Sequence, residues 1–145
     1  MNQNCSDTLK KNLENYMKSL DCKARNKGIA CGYKDLRFWP AVSVGCEYGN
    51  IKECESSGRW KSCNNPIHTV VKVACLNLGA TIEEEINGNL NGCCAEDHAA
   101  SEVLTKEQAY HRQILKIVHL TFTPAYRPRT RKVKKPCPNC KIVFS

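Results

Sequence analysis

The stretch CCAEDHAA at positions 93–100 decides the predicted fold, because it places a cysteine and a glutamate at the start of a helix. A second stretch, PCPNC at positions 136–140, is predicted to open another helix. Cys137 and Cys140 are three residues apart, so the first turn of that helix would direct both thiols to one side. Such a pair binds Zn²⁺ well, and Cys94 of the first stretch would supply a third ligand. The two stretches therefore predict one zinc site between two helix starts.

Glu96 is the residue of this pattern that a structural zinc site would not need. Three protein ligands leave the fourth position of Zn²⁺ to water, as in catalytic zinc sites. Zinc lowers the pKa of that water to about 7. Glu96 stands two residues after Cys94, where it would reach the water and pass its proton to a ring nitrogen and then to a leaving amine. The sequence therefore predicts hydrolytic deamination, with Zn²⁺ as cofactor and Glu96 as the catalytic residue.

Two other ligand sets are open at this point. Adding Cys93 would give a closed four-cysteine site, although adjacent cysteines chelate one ion poorly. Adding His98, one helical turn after Cys94, would also close the site and leave the glutamate without a role. In each arrangement the helix N-termini would face the metal, where their dipoles offset the negative thiolates. Pro136 would suit the start of the second helix.

The combination of CAE at 94–96 with PCPNC at 136–140 resembles the zinc nucleobase deaminase superfamily, whose signature is His or Cys, any residue and Glu, then Pro-Cys-x-x-Cys. The resemblance spans about positions 69–144. It implies an α/β fold of the cytidine-deaminase type, with α/β/α layers, a small mixed sheet and two zinc-bearing helices. Polymorphic-toxin deaminases, including YwqJ-like domains, often carry CAE, which implies a toxin or effector role with an immunity partner.

Free-nucleoside cytidine deaminases also combine CAE with PCxxC, and they place a ribose-binding Asn-x-Glu shortly before the cysteine. Glu85 matches the glutamate of that motif, but Glu83 stands where the asparagine would be. Those enzymes also continue well past the second motif, whereas here five residues follow Cys140. These departures favour cytosine in DNA or RNA, single- or double-stranded, over free cytidine as the substrate. The third hypothesis is a secreted binding module that zinc stabilises and that has no activity.

The charge distribution supports a nucleic acid partner. The net charge is +8, and six basic residues without an acid fall between positions 127 and 135. Such a run suits phosphate backbones. Tyr126 could stack on an unpaired base, and the asparagines before Cys94 could bind the base or the sugar. The predicted substrate-binding residues are therefore Asn89, Asn91, Tyr126, Arg127, Arg129, Arg131 and Lys132.

The cysteine content leaves the cellular compartment open. Six of the eleven cysteines fall within the first 63 residues, at spacings of 8 to 17. This pattern is typical of a disulfide-stapled segment in an oxidising compartment, while free buried thiols are the alternative. The polar start, Met1–Lys11, contains no secretory signal, and no apolar run approaches the roughly 18 residues of a membrane span. A cytoplasmic location is the default, with an exported effector still open.

Hydrophobic patterning predicts an alternation of helices and strands. Residues 1–66 are expected to form a helix and a cysteine-rich segment that pack on a catalytic core, 67–145. The predicted order is helix, strand, strand, helix, strand, helix, which indicates a layered α/β domain. The elements are a helix over 7–20, irregular loops over 22–66 with a short strand near 41–46, paired strands over 69–78 and 81–86, a loop over 87–92, a helix from Cys93 or Cys94, a central strand over 114–123 and a final short helix.

Overall fold

The computed structural model describes residues 1–26, 40–60 and 66–145, and it confirms the predicted α/β class. Ile117–His119 form a short 3₁₀ turn. The elements in chain order are α1 (Asp7–Asn26), β1 (Ser43–Tyr48), β2 (Ile51–Ser56), α2 (Thr69–Leu76), β3 (Glu85–Ile86), β4 (Asn89–Leu90), α3 (Ala95–His111), β5 (Thr121–Phe122), β6 (Ala125–Tyr126), β7 (Val133–Lys134) and α4 (Pro138–Val143).

A hairpin of β1 and β2 forms one edge of the main sheet. The strands pair from Ser43 with Ser56 to Tyr48 with Ile51. Gly49 has a φ of 57° in the two-residue turn between them, a conformation that glycine adopts without steric cost. The short strand expected near 41–46 is confirmed as part of β1, whereas β2 lies where irregular loops were expected. The Gly49-Asn50 dipeptide is the sequence signal that identifies the hairpin.

The other side of β1 pairs with β5 and β6, and β7 pairs with β6. The residue segments 1–66 and 67–145 therefore share one sheet. The resemblance implies a mixed sheet, whereas the pairings of these named strands are all antiparallel. Between β5 and β6, Thr123 donates its backbone N–H to the Gly45 carbonyl, and its Oγ1 accepts from the Gly45 N–H, each at 2.9 Å. The threonine hydroxyl thus continues the ladder just before Pro124, which has no N–H.

The sheet lies between two helical layers, as the α/β/α prediction requires. Val44 and Cys46 are fully buried in the main core beside Val103 of α3. Gly45 faces the other way, and a Cβ added there would lie 3.0 Å from Leu9 of α1. This alternation is the period of two expected of a strand. The cysteine cluster described below lies on the side of the sheet that α3 covers.

The predicted strand over 69–78 was wrong, because these residues form the helix α2. The side chain of His68 caps the helix by accepting from the Val70 N–H. Val71 and Cys75 are four residues apart and buried, while Val73 is 51% exposed. A stripe of that spacing buries one face of a helix. Packing of this stripe outweighs the β propensity of the valines.

Two further strand predictions were also wrong. The strand over 81–86 was expected to pair with residues 69–78, which instead form α2. Only Glu85–Ile86 is extended, and it pairs with Asn89–Leu90. Asn87 and Gly88 both have positive φ in the connecting turn, as tight hairpins favour. The expected central strand over 114–123 begins only at Thr121. Ile114 and Val118 precede it, and their side chains are 69% and 63% exposed.

The N-terminal helix is confirmed and continues to Asn26. The predicted disulfides do not form at Cys5, Cys46 or Cys54, which carry free thiols, and Cys46 is buried in the sheet. Cys31 and Cys63 lie outside the described residues. Within the described ranges, no helix is both long and apolar enough to cross a membrane.

Candidate metal centre and the cavity beside it

Three cysteines predicted as ligands come together between α3 and α4. The Sγ atoms of Cys94, Cys137 and Cys140 all lie within 4.8 Å of one another. The Cys94 and Cys137 sulfurs are 3.2 Å apart. Three sulfur donors at this spacing could hold one metal ion. The prediction that these three cysteines come together in a cluster that could hold a metal ion is confirmed.

Two of the cysteines stand at helix N-caps. Cys94 is the N-cap of α3, where Asp97 accepts the Cys94 N–H at 3.0 Å. Cys137 is the N-cap of α4, where its Sγ accepts the Cys140 N–H at 3.4 Å. Pro138 occupies the first turn of α4, so the assignment of that role to Pro136 was wrong. The backbone at both helix starts therefore fixes the positions of the sulfurs.

The electrostatics of the cluster favour one thiolate in the absence of metal. Hydrogen bonds from the Cys140 and Cys94 thiols hold the pKa of Cys137 well below its usual range. The same contacts raise the pKa of Cys94 and of Cys140, because donating to Cys137 keeps each of them protonated. A bound cation would displace those two protons. The donor set is thus chemically suited to a thiophilic metal ion.

Glu96 lies beside the cluster as expected for a proton carrier. It is only 4% exposed, and its Oε2 accepts from the Cys140 thiol at 3.6 Å. Burial raises the pKa of the Glu96 carboxyl above its ordinary value, and the nearby Cys137 raises it further. Burial beside the cysteine cluster thus makes this carboxylate a stronger base than an exposed one.

Cys93 and His98, the ligands of the two alternative sites, have other partners. The Cys93 thiol donates to the Asn91 carbonyl at 3.7 Å. The His98 ring stacks on Trp60 with 4.0 Å between centroids. Its Nε2 donates to the Gly58 carbonyl at 2.7 Å. Neither residue belongs to the three-sulfur cluster, so the arrangement favours three protein ligands.

Asn139, between the two cysteines of α4, ties the metal centre to the β3–β4 hairpin. Its Nδ2 donates to the Ile86 carbonyl at 3.1 Å. Its Oδ1 accepts from the Asn87 amide at 3.0 Å. Asn139 is almost fully buried. The hairpin that carries Asn89 is therefore held directly against the start of α4.

A cavity of about 370 Å³ opens beside Cys94 and Glu96. Its walls come from the starts of α3 and α4, the β3–β4 hairpin, the segments before β1 and after β2, and the strands β6 and β7. The polar and charged side chains of the wall are Ser57, Arg59, Asn89, Glu96, Lys134 and Lys135. This volume is within the range of small-molecule sites.

The two predicted asparagines have different positions. Asn89 lines the cavity. Asn91 is fully buried, and its Nδ2 donates to the Cys75 carbonyl at 3.0 Å and to the Ala80 carbonyl at 2.9 Å. Asn91 therefore joins the end of α2 to the following loop and is not part of the cavity wall.

The predicted basic and aromatic residues divide between two faces. Tyr126 and Arg131 line a second cavity of about 160 Å³ against α1. Arg131 pairs there with Asp21 at 2.9 Å. Arg127 and Lys132 are exposed, and Arg129 is half-buried. Tyr126 and Arg131 thus lie on the side of the sheet away from the cysteine cluster.

The cations that line the cavity are Arg59, Lys134 and Lys135. Sequence reasoning counted the two lysines in the basic run but named none of the three as substrate-binding. Lys134 pairs with Ala125, which also lines the cavity, while Tyr126 pairs with Val133 on the other face. Alternation along β7 was the available signal, but it assigns a face only once the pairing register is known. Arg59 had no signal of its own.

The chain matches no family model, no curated protein and no solved structure at a significant level. The cysteine cluster, Glu96 and the cavity are therefore the observations that bear on function. They come from distant parts of the chain, since Cys94 and Cys137 are 43 positions apart.

Proposed function

We propose that this protein is a zinc-dependent deaminase that hydrolyses cytosine to uracil in nucleic acid. The observation that carries the proposal is the position of Glu96, whose carboxylate contacts Cys140 of the cysteine cluster and lines the adjoining cavity. The CAE and PCPNC motifs of the zinc nucleobase deaminases supply these residues. A structural metal site would not need a buried carboxyl facing a cavity.

The donor set supports zinc as the metal. Soft thiolate ligands select ions such as Zn²⁺, and three protein ligands are typical of its catalytic sites. Cys94, Cys137 and Cys140 would hold the ion. When bound, zinc supplies the Lewis acidity that makes water a nucleophile near neutral pH.

Glu96 would carry the protons of the reaction. Water adds across the C4–N3 bond of cytosine, ammonia leaves, and uracil remains. Glu96 accepts one proton from the attacking water, delivers it to N3 and then assists protonation of the departing amine. Its burial favours the first step of this cycle, because a carboxylate of raised pKa is a stronger base towards the attacking water.

The basic residues beside the cavity support a polymer as substrate. Lys134 and Lys135 line it. The Arg127 N–H donates to the Lys132 carbonyl at 2.8 Å, which continues the pairing of β6 with β7. Strand alternation then gives Arg127 and Lys132 the same face as Lys134. These cations would contact phosphates without reading the base sequence.

The proposal is tested by measuring C-to-U conversion with zinc-loaded protein. Single-stranded DNA, double-stranded DNA, RNA and free cytidine serve as parallel substrates. Glu96→Gln keeps the side-chain volume and removes the proton carrier, and Glu85→Gln is the matched control because Glu85 is exposed on the hairpin. We expect conversion of a polymer that falls by roughly 10²- to 10⁴-fold in Glu96→Gln and stays unchanged in Glu85→Gln.

Salt dependence separates the substrate classes. Conversion of a polymer held by phosphate contacts should fall steeply as salt rises. Conversion of cytidine alone, at a rate that does not depend on salt, would identify a free nucleoside rather than nucleic acid as the substrate. Zinc-loaded, folded protein that converts none of the four substrates would overturn the deaminase proposal for cytosine.

A further inference from the structure

The cavity lies at the end of the sheet where β1 begins, and cations stand at both of its edges. Arg59 follows β2, and Lys134 belongs to β7. The strand order is β2-β1-β6-β7, so Lys134 lies in one outer strand and Arg59 in the segment that follows the other. The outer strands themselves are three strand spacings apart, about 14 Å. Glu96 lines the same cavity.

The segment that carries Arg59 is anchored on both sides of that residue. Gly58 donates its N–H to the Cys93 carbonyl at 3.0 Å and accepts from the His98 ring at 2.7 Å. Trp60 donates its Nε1–H to the Gly92 carbonyl at 2.6 Å and stacks on His98. The backbone of Arg59 is therefore fixed, although its side chain is exposed.

The opposite edge is fixed by strand pairing. Lys134 pairs with Ala125 across β6 and β7, and both residues line the cavity. Lys135 continues the same wall, and Cys137 caps α4 two residues later. The backbone that carries these cations is thus joined to the start of α4, as the backbone beside Arg59 is joined to Cys93.

We propose that the cavity receives one internal nucleotide of an extended single strand, with the phosphate on one side contacting Arg59 and that on the other side contacting Lys134 and Lys135. The inference rests on the proposed function for placing the base at Glu96. A free nucleoside has no phosphate for either edge. A paired base in a duplex could not reach a buried carboxyl without leaving its stack.

The test uses binding to the Glu96→Gln protein, so that no turnover occurs. The probe is a fluorescently labelled thymidine oligonucleotide with one cytosine, followed by fluorescence anisotropy. Two further probes carry a neutral methylphosphonate at the linkage either 5′ or 3′ of that cytosine. We expect each neutral linkage to weaken binding by roughly 10-fold, as loss of one hydrogen bond to a charged group does.

Second substitutions then assign each linkage to one edge. Arg59→Gln should lose the response to one neutral linkage and keep the response to the other, and the double variant Lys134→Gln/Lys135→Gln should do the reverse. Which linkage belongs to which cation gives the direction of the strand. Arg112→Gln and Lys72→Gln are the controls, because both residues are exposed and neither lines the cavity. They should keep both responses.

Several outcomes would overturn the inference. The two variants could lose their response to the same linkage, neither could respond differently from the controls, or cytidine could compete as well as the oligonucleotide. The proposed function is tested separately, by measuring C-to-U conversion with the wild-type protein. A two-sided binding pattern with no C-to-U conversion by wild-type protein would keep the inference and reject the deaminase, whereas conversion without the pattern would do the opposite.

Discussion

The Sγ atoms of Cys94 and Cys137 lie 3.2 Å apart and each belongs to the N-cap residue of a different helix. Their contact joins the start of α3, in the middle of the core, to the short helix α4. Binding of a metal ion by these sulfurs would therefore also fix α4 against the rest of the protein, because ligand binding and folding are linked in such sites.

Metal content should depend on Cys140 and not on cysteine in general. Cys140→Ser should reduce bound zinc, measured by mass spectrometry of the metal after dialysis, from about one ion per chain to near zero. Cys54→Ser is the control, since Cys54 carries a free thiol on β2. A chelator should lower the melting temperature of the wild type and of Cys54→Ser, because zinc at 100 times its Kd stabilises by about 2.7 kcal/mol. Equal zinc in both variants would contradict the assignment.

Asn91 should contribute to the stability of the fold rather than to substrate binding. Asn91→Ala removes the donor for two carbonyls, those of Cys75 and Ala80. The Cys75 carbonyl keeps the Leu78 N–H at 3.1 Å, so the Ala80 carbonyl is the one that loses its partner. A buried carbonyl without a partner costs about 1–3 kcal/mol, and urea unfolding should show a loss of about that size. Asn89→Ala, at the cavity wall, should change the free energy of unfolding by less than about 0.5 kcal/mol. An Asn91→Ala protein of unchanged stability and weakened substrate binding would instead show that Asn91 is a substrate-binding residue.

Glu55 should make the protein less stable as pH rises. Burial, together with the nearby Glu102 and Glu53, raises the pKa of its carboxyl from 4.5 to about 7. Between these values the unfolded chain loses a proton that the folded chain keeps, so the free energy of unfolding falls with rising pH. Glu55→Gln should therefore be more stable than wild type at pH 8 and similar at pH 4.5, as measured by urea unfolding.

The control for this pH dependence is Glu85→Gln, whose carboxyl is exposed. It should follow the wild type at both pH values. A Glu55→Gln protein that differs from wild type by the same amount at pH 4.5 and pH 8 would show that its effect comes from packing rather than from ionisation.

Gly45 should not tolerate a methyl group. A Cβ at this position would lie 3.0 Å from Leu9 of α1 and 3.0 Å from Thr123, and such overpacking costs about 1–3 kcal/mol. Gly45→Ala should therefore lower the free energy of unfolding by this amount. At Gly58 an added Cβ meets nothing within 4 Å, so Gly58→Ala should be nearly neutral. Equal stability of the two variants would mean that α1 can move away from β1.

Local chemistry made the metal centre predictable from the sequence. Cys137 and Cys140 are neighbours on one helical turn, and a helix start follows Cys94 regardless of how the sheet is arranged. The pairing of these two motifs then needs only that the helix starts meet. The N-terminal helix was predictable for the same reason, because its buried stripe, which includes Leu9 and Leu13, has helical spacing.

Tertiary contacts determine the two features that the sequence pattern leaves open, the conformation of α2 and the faces on which the basic residues lie. The valines of α2 fit a strand or a helix equally by pattern, and the packing of Val71 against the core selects the helix. The face of each basic residue depends on the register of β6 with β7, which sends Lys134 to the cavity and Tyr126 to α1. Neither packing nor register is encoded within a short window.

The amide contact between Asn87 and Asn139 has a consequence for how this protein can evolve. One residue shapes the tight turn of the β3–β4 hairpin, and the other stands between two sulfur ligands. A substitution at either position would leave a polar group of the other without its partner. Across related sequences these two positions should therefore change together, whereas Asn89, at the cavity wall of the same hairpin, is free to diversify with the substrate.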